Sequence, residues 1–89
     1  MARHISALKR ARQNKKRRLR NQSRKTRVKS VVREVRQALA KKDSAVAETA
    51  LSKAVPVIAQ VAGKGTLHWR TAARKISRLT RQVNALKSA

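Results

Sequence analysis

Between Lys9 and Arg27 the chain places Lys or Arg at eleven of nineteen positions and an acid at none. Wound as a helix at about 100° per residue, Lys9, Arg10, Arg12, Lys15, Lys16, Arg17, Arg18, Arg20, Arg24, Lys25 and Arg27 point to every side. Only Leu8, Ala11 and Leu19 offer a narrow apolar strip. A segment of this kind has no face to bury, so it cannot be a core element. Like charges at neighbouring helix positions repel, so in isolation the segment is expected to be weakly helical or frayed. The rest of the chain must fold beside it, not around it.

The imbalance runs through the molecule. With 25 Lys plus Arg against 3 Asp plus Glu, the formal net charge is +22 over 89 residues. Self-repulsion on this scale destabilises a compact state unless a polyanion neutralises it, and a merely solvated charged face does not call for it. The distribution reads basic, neutral, basic. Residues 1–36 hold 15 bases and one acid, Glu34; residues 45–62 hold one of each, Lys53 and Glu48; residues 64–89 hold seven bases and no acid. The chain has no cysteine, which excludes disulfides, thiolate metal sites and thiol catalysis. Two Gly and one Pro supply too few turns for an all-β fold. No continuous run of about 18 apolar residues is present to span a membrane. Residues 9–27 lack the broad apolar face that a surface-seeking membrane helix or a mitochondrial transit peptide requires.

Periodicity predicts three helices. The first is expected from Ser6, as N-cap, to about Lys41, with no Gly or Pro inside it. Its second half carries a stripe of Val28, Val31, Val32, Val35, Ala38 and Leu39 within about 120°. Asp43 or Ser44 caps the second helix, whose stripe is Ala47, Ala50, Leu51, Ala54, Val57, Ile58 and Val61. Pro56 projects to the opposite side, so it predicts a kink and not a boundary. Gly63 suits the C′ position, and Gly63-Lys64-Gly65 makes a turn. The third helix is expected to start between Thr66 and His68, with Trp69, Ala72, Ile76, Leu79, Val83 and Leu86 as its core stripe and Ala73 at the edge. On its other side Arg70, Arg74, Arg78 and Arg81, spaced four, four and three apart, form a row.

Short connections between amphipathic helices imply an all-α, antiparallel three-helix bundle. At about 1.5 Å per residue the first helix is nearly twice as long as its partners. Its basic N-terminal part must then protrude. The chain is read as a single domain, 1–89, with residues 1–27 as a basic arm and 28–89 as the bundle.

Charge on all sides suits a cleft between nucleic-acid helices, where phosphates approach from several directions. Asn14, Asn21, Gln22, Ser23, Thr26 and Ser30 add groups able to hydrogen-bond phosphate or ribose. Trp69 is the sole residue among Phe, Tyr and Trp. Its place on the third stripe favours packing in the bundle over stacking on a base, and a single ring is in any case no series of stacking platforms. Folded, largely duplex RNA recognised by backbone and shape is therefore expected, not base readout. The charge alone would serve a nucleoid-type DNA-compacting protein equally well, and that remains the alternative. His68, beside the glycine turn, is expected as a hydrogen-bond donor to phosphate or backbone, or simply exposed, and not as a metal ligand. Two His and three acids at scattered positions make no catalytic constellation, and no nucleotide-binding glycine loop is present. No enzyme activity, metal or cofactor is expected.

The opening Ala2-Arg3-His4-Ile5-Ser6-Ala7-Leu8-Lys9-Arg10, with Arg12-Gln13, Asn21 and Ser23, resembles the N-terminal helix of the S20 family of bacterial small-subunit ribosomal proteins. Lys64-Gly65-Thr66-Leu67-His68, followed by Ala72-Ala73-Arg74, Ser77 and Leu79, resembles that family's second signature. The likeness covers essentially the whole chain, mid-helix Pro56 included. It departs where the family usually has Lys-Asn after the histidine and this chain has Trp69-Arg70. The resemblance implies a three-helix bundle that binds 16S ribosomal RNA directly and early in assembly. It would lie at the lower body of the small subunit, among RNA helices of the 5′ domain and beside the long helix of the 3′ minor domain. Carried over, Ser6, Lys9, Arg10, Arg12, Gln13, Asn21 and Ser23 would be arm contacts, and Gly65, His68 and Arg74 contacts at the start of the third helix. The charge map adds Arg3, His4, Lys15, Lys16, Arg17, Arg18, Arg20, Arg24, Lys25 and Arg27 in the arm, and Lys64, Arg70, Arg78 and Arg81 on the third helix or the turn before it. The partner expected is 16S ribosomal RNA within a cytoplasmic or organellar small subunit. The protein would be a monomer in that assembly, with few or no protein contacts and no membrane.

Overall fold

Helix starts and stops depend on which backbone groups find partners, and here most of the punctuation is polar. The computed structural model describes residues 2–88, with side chains from Ile5 onward. Three helices follow one another: α1 (Ala2–Ala40), α2 (Ser44–Gly63) and α3 (Trp69–Ser88). Among the described residues there is no strand.

Asp43 is the N-cap of α2, its extended backbone letting a carboxylate oxygen accept from the Val46 amide at 3.2 Å. This satisfies one orphan donor and places negative charge at the positive end of the helix. At the end of α1 the amide of Lys42 bonds the Leu39 carbonyl, and that of Asp43 reaches back to Ala38. The two bonds make a Schellman closure in which Lys42, at φ 56°, takes the left-handed position that Gly usually fills. At the other junction the expected glycine assignment shifts by two residues. Gly63 is still helical, Lys64 is the C-cap, and Gly65, at φ 78°, supplies the left-handed turn. His68 then caps α3: its carbonyl accepts from Ala72, and its Nδ1 accepts the Arg70 amide at 3.1 Å. α1 begins at Ala2, four residues before the expected Ser6 cap, and Ser6 stands exposed within the helix.

The three stripes meet as predicted over most of their length. Val28, Val32, Val35 and Ala38 of α1, Ala47, Ala50, Ala54, Ile58 and Val61 of α2, and Ala72, Leu79 and Val83 of α3 form one core, in which Val35 and Ile58 are 0% exposed. Val31, Leu39, Leu51, Ile76 and Leu86 pack around it. α2 is the central element, in extensive contact with both neighbours, whereas α1 and α3 touch only slightly. By length and composition α2 just meets the minimum for a membrane span; in this fold its apolar face is the middle of the core. Pro56 is exposed, and α2 continues through it.

One core assignment is corrected. Trp69 is 65% exposed. It occupies the first position of α3, beyond the last turn of α2, so the stripe it belongs to has no opposing surface there.

The protruding first helix is borne out. Every described side chain from Ile5 to Ser23 is exposed, Ile5, Leu8 and Leu19 among them. The molecule measures 68 × 21 × 14 Å. Its radius of gyration, 17.9 Å, exceeds the roughly 12 Å of a compact domain this long.

Leu79→Ala should cost about 3 kcal/mol by leaving a cavity in a core it shares with α2. Lys42→Gly should instead stabilise by roughly 0.5–1 kcal/mol, since it relieves a left-handed residue at the cost of a looser unfolded chain. Thermal melts followed by circular dichroism would show the first Tm well below, and the second a few degrees above, that of the unsubstituted protein.

Candidate nucleic-acid interface

A cation on a protein surface either pairs with a carboxylate or stays available to an outside anion. Among the described residues one ion pair is present, Lys87 of α3 with Glu48 of α2, both half-exposed. The other two acids do nothing for the arm: Asp43 caps α2, and Glu34 lies on the exposed face of α1 near the α1–α2 end. The described cations of the arm therefore meet no carboxylate.

Lys9, Arg10, Arg12, Lys15, Lys16, Arg17, Arg18, Arg20, Lys25 and Arg27 are all exposed, as are Ser6, Gln13, Asn21 and Ser23 between them. The side chains of Arg3 and His4 lie outside the described residues. Arg24 differs. It is half-buried, and its guanidinium donates to Thr66 Oγ1 at 3.2 Å. The same hydroxyl donates to Asn21 Oδ1 at 3.1 Å. These bonds join α1 to the α2–α3 turn across more than forty residues of sequence, and no periodicity argument could have found them. They occupy Asn21 Oδ1 and leave its amide NH₂ to face outward. Thr26 is also partly used, since its hydroxyl donates to the Gln22 carbonyl at 2.9 Å. A phosphate needs a donor, so in this rotamer Thr26 has none to offer.

On α3 the arginine row is present as expected: Arg70, Arg74, Arg78 and Arg81 are exposed along one side. Lys64 and Gly65 are exposed in the turn before it. His68 stands there too, with Nδ1 engaged by the backbone, which leaves Nε2 to carry the proton and present it outward. The capping role of Nδ1 is one that periodicity and charge did not reveal.

Four further cations, outside the expected interface, also gather on the surface. Lys29, Arg33 and Arg36 of α1 and Lys75 of α3 line a groove floored by Val28 and Val32. The first three are spaced four and three apart, a row like the one on α3. Their position in the half of α1 assigned to the core hid them. No group of three His, Asp or Glu side chains gathers among the described residues.

Fold and surface together define a class: an all-α protein whose packed trunk carries cations in rows and on a projecting helix, with hardly a carboxylate to answer them. The chain belongs to the ribosomal protein S20 family, whose family model matches residues 2–84. It is 54% identical over its full length to the small ribosomal subunit protein bS20 of Solidesulfovibrio magneticus, all of which is covered. To the bS20 proteins of Nitratidesulfovibrio vulgaris (strain Miyazaki F) and Syntrophobacter fumaroxidans it is 51% identical, over 98% and 97% of this chain and the whole of each relative. This is a family of ribosomal proteins and not of enzymes.

Replacing Thr66 with Val should cost about 1 kcal/mol by removing both bonds between the turn and α1. Amide hydrogen exchange should then quicken around residues 17–25 while the amides near Ile58 keep their relative protection.

Proposed function

We propose that this chain is a structural protein of the small ribosomal subunit, in the bacterial cytoplasm, that binds folded 16S ribosomal RNA through phosphate and shape contacts and holds its tertiary fold together. The observation that carries the reading is the set of cations from Lys9 to Arg27, exposed save for the half-buried Arg24 and free of carboxylates, on a helix rooted in the trunk. Family membership names the assembly, since the relatives are small ribosomal subunit proteins. It lends no support to DNA compaction.

Phosphate groups of adjacent RNA segments repel. A helix bearing cations on every side lets several segments approach it at once, and each neutralised phosphate releases condensed counterions. The arm of residues 1–27 fills such a cleft. The arginine row of α3, with Lys64, Gly65 and His68 at its start, meets a second RNA element. The near-neutral outer face of α2 looks away from the RNA. One chain then bridges two or more elements, as a monomer with few protein neighbours.

Changing Lys15, Lys16, Arg17 and Arg18 together to Gln should weaken binding to 16S ribosomal RNA and lower the magnitude of its salt slope by up to about 4, roughly one for every phosphate left without its cation. Changing Arg74 and Arg78 to Ala should lower it by about 2 with little effect on Tm, because neither side chain is buried. Filter binding across a salt series measures both, and unaltered slopes would refute the reading. Random duplex DNA at about 0.15 M salt is the comparison; equal affinity for it would favour the DNA-compacting alternative.

A further inference from the structure

The largest apolar ring in the chain stands outside its core. We propose that Trp69, with His68 and Arg70 on either side of it in the chain, is a stacking platform for one unpaired nucleobase of the bound RNA. The inference rests on the RNA-binding function proposed above and adds to it an interaction of another kind, made to a base and not to the backbone.

Trp69 keeps 65% of its surface open even with two neighbours against it. The His68 ring stacks on it at 5.8 Å between centroids and 25° between planes, and the Arg70 guanidinium carbon lies 5.3 Å from its centre. A base can take the place of the Arg70 guanidinium over the ring, the indole's exposure leaving the approach open. The arrangement is also held in place beforehand. His68 Nδ1 accepts the Arg70 amide, so the imidazole is fixed by the same hydrogen bond that starts α3. Trp69 sits between the two residues that bond makes rigid, and less freedom is lost when a ring settles on it.

The surroundings select the ligand. Lys64 precedes the platform in the turn, and Arg70 and Arg74 follow it on α3. All three acids fall between residues 34 and 48, toward the α1–α2 end of the trunk, whereas Trp69 lies at the α2–α3 end. A protein pocket closing over this indole would have to bring carboxylates of its own for these cations, or bury them unpaired at a high desolvation cost. A nucleotide brings its own anion beside its base, so ring and phosphate are satisfied together. Base stacking on an aromatic side chain tolerates any base, because every base has a π-face. The Thr66 bonds to Asn21 and Arg24 bring the root of the arm to this same end, so a strand leaving the arm's cleft can reach the platform.

Trp69 is the only tryptophan, so its emission reports on this site alone. The test titrates the full chain and its W69A, W69F and W69L variants with refolded 16S ribosomal RNA over a salt series, following fluorescence where Trp69 is present and filter retention throughout. Binding should quench the emission. W69A should bind about tenfold more weakly with the same salt slope, since a stacked base releases no counterion. W69F should recover most of the loss and W69L little of it. Unquenched emission, or W69A binding as tightly as the unsubstituted chain, would overturn the proposal. So would a blue shift that appears only when other ribosomal proteins are added, which would mark a protein pocket instead. Failure of the unsubstituted chain to bind the RNA is a separate outcome, read in the same filters, and it would remove the functional reading on which the platform rests.

Discussion

Small side chains set how closely these helices approach, and everything charged depends on that approach. Among the described residues twelve are buried and five of these are alanines, three of them, Ala47, Ala50 and Ala54, on α2. With methyl groups along much of its buried face, α2 can lie near α1 on one side and α3 on the other. Apart from the Asp43 cap and the Arg24 bond to Thr66, the charges contribute little to this cohesion. Their mutual repulsion opposes it, and the lone ion pair among the described residues, Lys87 with Glu48, is too exposed to add much. The trunk is a modest apolar seam working against a large electrostatic load, and a bound polyanion removes the load by mass action.

The division of labour along α1 has a physical cause in that seam. From Val28 onward one side of the helix is apolar and held by α2. Before it, no side is. Between these regimes sit Asn21 and Arg24, bonded to Thr66, in a zone that is polar yet tied to the trunk. The cations of the groove between α1 and α3 continue the charged surface past that zone, so the basic face runs on from arm to trunk.

The three helices and nearly all of the core were legible because each rests on a repeating pattern. Val35, Ile58 and Val83 announce themselves by phase, and Asp43 by being an acid before an alanine-rich run. Trp69 shows where phase fails: it lies on the right meridian of α3, but whether a facing helix reaches that latitude is a property of α2's length and not of α3's pattern. The choice between Gly63 and Gly65 for the left-handed turn depends on where the helix frays, and both residues permit it. Lys42 in the left-handed region carries no local signal, because the closure of α1 imposes it. In the candidate interface, exposure of the arm and of the arginine row followed from charge. The Thr66 link and the groove of Lys29, Arg33, Arg36 and Lys75 needed three dimensions.

Because trunk and tip belong to one unbroken α1, the protein behaves as a lever without a joint. From the Thr66 attachment to Ala2 is about twenty residues, or roughly 30 Å. A tilt of about 10° where α1 seats on α2 would therefore swing the far end by about 5 Å, near the spacing of successive phosphates. A slip of one residue in that seating would spin the tip through about 100°. The valines at the base thus aim a distant tip they never touch.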